Sequence, residues 1–294
     1  MAEPDKVGAL QYNDGYALDR DTLLLASREV DELEERVSRV GILSKGKWRF
    51  IGFDDVTVSV AALDHARQGF FLADSGRVLV TGLGRRVIED IPTEESLGEV
   101  LRIRNIADEL YVCGMTGQVY HRDGGRWLAI DKGIRGRDQL DLEDLDGTGP
   151  ENIYAVSSFG EAVHFDGKSW RVLATPSKVP LSGIRVLSET EIYVCGQDGL
   201  VLRGSGPDEW EVISSRDFDH HLSSVEWYRD RLYAAYDGGL LQWFQGEWKD
   251  VSFDLDDELD CHVLQAKDDV LFSFGYENIL AFDGSRWRTI VPGT

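Results

Sequence analysis

Short apolar runs rich in β-branched and aromatic residues recur along this chain, each followed by a glycine-containing turn. Residues 192–195 (IYVC) are one such run. Gln197-Asp198-Gly199 then reverses the chain, and residues 200–203 (LVLR) form the next extended segment. In Phe165-Asp166-Gly167-Lys168-Ser169-Trp170 the Asp-Gly pair supplies a second turn, and the tryptophan opens another strand. The same rhythm returns as LYVCGMTGQVYHRDGGRW (110–127), IYAVSSFGEAVHFDGKSW (153–170), IYVCGQDGLVLRGSGPDEW (192–210), LYAAYDGGLLQWFQGEW (232–248) and LFSFGYENILAFDGSRW (271–287). The closing tryptophans, Trp127, Trp170, Trp210, Trp248 and Trp287, are spaced by 43, 40, 38 and 39 residues. A repeat of this length built from strands predicts a β-propeller.

Trp48 lies 79 residues before Trp127, which is two periods. The slot between them falls near Arg86 and Val87, inside FFLADSGRVLVTGLGRRVI (70–88), which keeps the rhythm but lacks the tryptophan. The pattern therefore predicts an all-β chain, a seven-bladed β-propeller of four-stranded antiparallel blades. One domain spans 1–294, with irregular first two blades at 1–90 and regular repeats at 91–294. Inner strands are expected at 100–103, 183–187, 224–227 and 262–264. Each tryptophan packs between neighbouring sheets, burying roughly 150–250 Å². In the first unit, residues 22–27 and 39–43 read as strands. Val30, Leu33 and Val37 between them fit a short amphipathic helix over 28–38, and a long charged hairpin is the alternative.

Charge adds a second signal. Against 31 Lys and Arg stand 53 Asp and Glu, a net of −22. Such a surface repels nucleic acid and anionic lipid and draws in basic partners. The acids concentrate in the connections between successive blades: Asp54 and Asp55, then 89–95 (EDIPTEE), 138–146 (DQLDLEDLD), 217–221 (DFDHH) and 254–260 (DLDDELD). Only 175–180 (TPSKVP) breaks the series. In a propeller these connections open on one face, so that face is expected to be strongly negative. The insert bearing Glu29, Asp31, Glu32, Glu34 and Glu35 is expected to project from it too. The expected contact residues are Glu94, Glu95, Asp141, Glu143, Asp144, Asp217, Asp219, His220, His221, Asp254, Asp256, Asp257, Glu258 and Asp260.

No run of 18 apolar residues and no basic-then-apolar leader is present, so a cytoplasmic protein is expected. Cys113 and Cys195 occupy equivalent places in two repeats, and Cys261 is placed on another inner strand. All three read as packing thiols. Asp144-Leu145-Asp146-Gly147-Thr148-Gly149 has the alternation of a calcium loop, but Thr148 and Asn152 stand where carboxylates are needed. No metal or cofactor is expected. His121 and His164 are explained by the repeat, whereas His220, His221 and His262 gather near the channel mouth among acids. No P-loop, GxSxG elbow, paired CxxC or HExxH occurs.

The copies resemble bacterial propeller repeats whose units run D-V-Y-A-V-G, G-x-I and H-Y-D-G-x-x-W, as in photosystem II assembly-factor-like and sialidase-like propellers. Residues 149–156 (GPENIYAV) through 166–170 (DGKSW) match best. The likeness covers about 100–294 well and implies fold alone, since propellers host unrelated functions. The sialidase-type turn is absent, and no arginine triad can be assigned. The expectation is a non-enzymatic immunity-type inhibitor, a monomer when free. Its acidic face would block the active or nucleic-acid-binding cleft of a basic, nuclease-like toxin. The alternatives are a lyase or glycan-processing hydrolase acting at the channel mouth, and an assembly scaffold.

Overall fold

The computed structural model describes residues 10–29, 38–82, 84–214, 218–255 and 259–291. Among them the chain forms seven four-stranded antiparallel sheets, each built from four consecutive strands. The inner strands are Leu10–Asp19, Thr57–Leu63, Val100–Ile106, Leu142–Gly149, Leu181–Ser188, Leu222–Tyr228 and Val263–Lys267. Every tryptophan of the repeat falls on an outer strand, from Lys47–Phe53 in blade 1 to Trp287–Thr289 in blade 7. The slot without tryptophan is the outer strand of blade 2, Arg85–Asp90.

The tryptophan period reflects how blades lock together. Trp170 of blade 4 donates its indole N–H to the Ile130 carbonyl (3.0 Å), and Trp248 of blade 6 donates to Ile213 (2.7 Å). Both acceptors lie on the connection arriving from the preceding blade. Trp127 reaches Glu89 on the outer strand of blade 2 at 3.1 Å. Between blades lie the core clusters. One joins Tyr111 and Ile106 of blade 3 to Ile153 and Trp170 of blade 4.

The channel side is held differently. An inner strand has no strand partner on its channel edge, so its N–H groups need other acceptors. The preceding blade supplies them from its own inner strand. Asp14 accepts from Val60 N (3.1 Å), Ser59 Oγ from Ile103 N (3.2 Å) and Asp144 from Ile184 N (3.3 Å). Asp146 accepts from Val186 N (2.7 Å), Ser224 Oγ from Leu264 N (3.2 Å) and Glu226 from Ala266 N (3.2 Å). Gln265 of blade 7 does the same across the closure, accepting from Ala17 N of blade 1 (2.5 Å).

Among the described residues no strand is exchanged at this closure. Blade 1 comes wholly from the N-terminal side of the chain and blade 7 wholly from the C-terminal side. Packing seals the seam: Leu23 and Leu25 meet Phe272 and Phe274 in one cluster, and Tyr12 N donates to the Tyr276 carbonyl at 2.8 Å.

Three sequence expectations change. Residues 142–146 are inner strand and not connection, because their carboxylates find guanidinium and N–H partners in the channel. Arg28, Glu29 and Ser38 are strand residues, so no helix begins or ends there, and 30–37 lie outside the described residues. Cys261 precedes its inner strand, which starts at Val263. The three thiols are free and buried, and burial pushes the Cys261 thiol up to about 12. A Cβ at Gly15 would overlap the Phe274 ring across the seam. Gly15→Ala should therefore destabilise the ring by about 1–3 kcal/mol, read as a lower denaturation midpoint. An unchanged midpoint would show that the seam has slack.

Candidate partner-binding face

Two sets of loops open on the predicted face: the blade-to-blade connections and the loops joining second to third strands. Glu94 and Glu95 are exposed there, Glu95 opening a short 3-10 turn over Glu95–Leu97. Asp219 and His220 are exposed, as is Asp254, which accepts from Ser252 Oγ at 3.0 Å. The second-to-third-strand loops add exposed Asp198, Asp237 and Glu277, and the connection before blade 4 adds Asp138. None of these four was among the expected contact residues, although the loop assignment itself pointed to them.

Glu94 pairs with Arg135 (2.8 Å), which also holds Asp131, and Arg137 pairs with Glu161 (3.1 Å). Among the described residues, Glu95, Asp138, Asp198, Asp219, Asp237, Asp254 and Glu277 make no ion pair. On the opposite face some acids are paired and others, Asp21, Glu151, Glu189, Asp230 and Asp268 among them, are exposed and make no ion pair among the described residues. Arg67 meets Asp19 (2.8 Å), Arg171 meets Asp208 (2.9 Å), Lys267 meets Asp64 and Arg229 meets Asp269.

Several expected contact residues serve the scaffold instead. Asp144 is 2 % exposed and takes a two-pronged bond from Arg104, with Nε at 2.7 Å and Nη2 at 2.9 Å. It is no surface group. Asp146 is likewise engaged by Arg185 (3.2 Å), so the calcium-loop alternation is occupied by guanidinium groups and backbone N–H donors. Asp260 accepts from Tyr276 N and Asn278 Nδ2, bracing the blade 7 loop. Asp141 accepts from Thr116 N (3.0 Å) and carries the blade 3 loop. Glu143 is half-buried at the mouth, and burial raises its carboxyl pKa with help from Asp141 and Asp144. Asp217, Asp256, Asp257 and Glu258 lie outside the described residues.

The histidines separate. His220 lies against Phe218 and Tyr236, with ring centroids 5.0 and 5.5 Å away. His221 turns to the mouth, its Nε2 3.2 Å from Ser182 Oγ. His262 stacks on Tyr276 at 4.7 Å. Burial lowers the pKa of both mouth histidines, and Arg102 helps to bring His262 to about 4. Both are neutral near pH 7. Phe159, on the blade 4 loop, is 47 % exposed and gives this face one large apolar group.

At the far mouth lies a polar cavity of about 510 Å³, lined by Arg104, Arg185, Glu226, Gln265 and Lys267. Its charged groups are already paired: Arg185 Nε lies 2.9 Å from Glu226. No group of His, Cys, Asp and Glu suited to a metal ion occurs among the described residues.

No family model matches the chain. The immune protein Tsi7 of Pseudomonas aeruginosa is 32% identical over 279 residues, covering 90% of this chain and 91% of that one. Among solved structures, the WD40 β-propeller domain of Doa1 superposes with a TM-score of 0.73 at 9% identity, covering 94% and 93% of the two chains. Virginiamycin B lyase from Staphylococcus aureus, solved with quinupristin, gives 0.76 at 5% identity over 95% and 96%. At such identities the last two establish the propeller fold alone.

His262 gives a pH test. Its folded pKa lies below the ordinary 6.5, so its contribution to stability is complete above pH 6.5 and is lost as pH falls toward 4. The stability advantage of the native chain over His262→Gln should shrink across that window by on the order of 2 kcal/mol. A difference that stays constant with pH would contradict the burial of a neutral imidazole.

Proposed function

The chain belongs to the family of the immune protein Tsi7, and on that premise we propose that this immunity-type propeller binds its cognate toxin through the connection face. It acts by occupancy and not by chemistry. The observation that carries this reading is the set of exposed carboxylates on the connection face, Glu95, Asp138, Asp198, Asp219, Asp237, Asp254 and Glu277, which make no ion pair among the described residues.

A face of this kind fits a basic partner, and a nuclease cleft is the basic surface such a field would imitate a substrate for. Dispersed carboxylates held on loops reproduce the spaced charge of a phosphate backbone without its bases. Steering by complementary charge raises association from about 10⁵–10⁶ toward about 10⁸–10⁹ M⁻¹s⁻¹ at low salt. Speed of capture matters for an inhibitor that must reach a toxin before its target does. Phe159 and the aromatic group of Phe218, His220 and Tyr236 supply less polar contact within the same face. Large, desolvated groups of this type dominate the strength of many interfaces, with charges setting the rate. The bound nuclease meets a rim of carboxylates and two neutral imidazoles. Nothing in that arrangement requires turnover. The described residues hold no helix long and apolar enough to cross a membrane, and the proposal places the protein in the cytoplasm with the target of the toxin.

Reversing Glu95, Asp138, Asp219 and Asp254 to lysine should slow association with the cognate toxin at least tenfold at low salt and flatten its salt dependence. The melting temperature should hold, since all four are exposed and make no ion pair among the described residues. Unchanged association kinetics would sink the acidic-face account. Substrate turnover abolished by His221→Ala would replace it with the enzyme reading.

A further inference from the structure

The outer strand of blade 2 differs from the other outer strands. It lacks the tryptophan, runs for six residues, Arg85–Asp90, and five of those six are exposed. Its sequence, Arg85-Arg86-Val87-Ile88-Glu89-Asp90, carries bases at one end, acids at the other and two apolar residues between. Val87 and Ile88 are 51 % and 39 % exposed. The strand pairs with its neighbour without a bulge, from Gly82↔Arg85 to Arg77↔Asp90, so its free edge is regular along its length.

The direction of that edge follows from one bond. Ile91 N donates inward to the Gly76 carbonyl (2.9 Å). In an antiparallel ladder the inward-bonding residues alternate, so 85, 87 and 89 also bond inward. The N–H and C=O groups of Arg86, Ile88 and Asp90 then point away from the blade. Their side chains share one face of the strand. Glu89, on the other face, is already held by Arg122 and Trp127 of blade 3.

We propose that this edge is a homodimer interface, in which the strand pairs antiparallel with the same strand of a second copy about a two-fold axis at Ile88. A two-fold axis perpendicular to the sheet places Ile88 opposite Ile88 of the second copy. Arg86 then lies opposite Asp90 of the second copy, and Asp90 opposite its Arg86. The outward backbone groups of the same three residues form the ladder, so side-chain and main-chain complementarity coincide in one register. Such a contact is self-complementary, as a closed dimer requires. The second copy is the occupant that charge complementarity selects. Among the described residues the only longer outer strand, Lys47–Phe53, carries Lys47 and Arg49 without an acid and would repel its own copy. The remaining outer strands are three or four residues long. The dimer replaces the monomer expected from the sequence. It uses the rim of the ring, so both connection faces stay open to a partner.

Sedimentation velocity over a concentration series tests the proposal. The native chain should shift from monomer toward dimer as concentration rises. Arg86→Glu and Asp90→Arg, each of which sets like charges opposite each other, should both sediment as monomers. Mixed in equal amounts, the two variants should associate, because the carboxylate introduced in one then faces the guanidinium introduced in the other. Ile88→Pro, which removes an outward N–H and leaves the inward ladder intact, should also be monomeric with an unchanged circular dichroism spectrum. A native chain that stays monomeric at every concentration would overturn the proposal, as would mixed variants that fail to associate.

Discussion

Seven strand edges meet around a channel in this fold, and none has a strand to pair with. An unpaired edge exposes donors that must be satisfied or solvated, and at five of the seven blade junctions the preceding blade meets one or two of them with side-chain oxygens. Asp14, Ser59, Asp144, Asp146, Ser224, Glu226 and Gln265 supply those oxygens. Carboxylates are strong acceptors for N–H groups, but a buried carboxylate is costly without a cation. Arg102, Arg104 and Arg185 provide the cations, and the Arg104–Asp144 pair is the best formed. Removing one partner of such a pair leaves a buried charge, at a cost of about 3–5 kcal/mol. Burial raises the carboxyl pKa of Asp146 and of Glu226, which records how far desolvation competes with their partners.

The outer part of the fold was legible because it obeys a simple rule. An outer-strand tryptophan recurs in six of the seven blades, reaching the connection from the preceding blade in blades 4 and 6, and its spacing sets the blade count. Even the slot without one, at Arg86 and Val87, was readable from the turn rhythm around it. The inner strands were harder. Glu143, Asp144 and Asp146 look like a solvated connection, since buried positions are ordinarily apolar. In the channel that expectation inverts, because the edge donors require polar side chains. The alternation Arg102, Arg104 and Asp144, Asp146 is the sequence trace of it, two residues apart on one face of a strand. The expected site lost Asp144 to the channel and Asp260 to a loop brace, and it gained Asp138, Asp198, Asp237 and Glu277 on the surface.

This division of labour frees the connection face. The inner bonds and the tryptophan contacts hold the ring, so the loops above it carry charge without being needed for stability. Glu95, Asp138 and Asp219 are exposed and make no ion pair among the described residues. On the opposite face Asp19, Asp64, Asp208 and Asp269 make local ion pairs, where surface screening leaves each worth little. Unmatched charge costs stability through self-repulsion, and on the proposed reading a basic partner offsets that cost.

Hydrogen exchange of the chain with and without its cognate toxin tests this account most directly. Binding through the connection face predicts slowed exchange at residues 91–99, 130–141, 218–221 and 251–255, with the opposite loops at 64–67, 107–108 and 229–230 unchanged. Protection confined to those opposite loops or to the outer strands would contradict it.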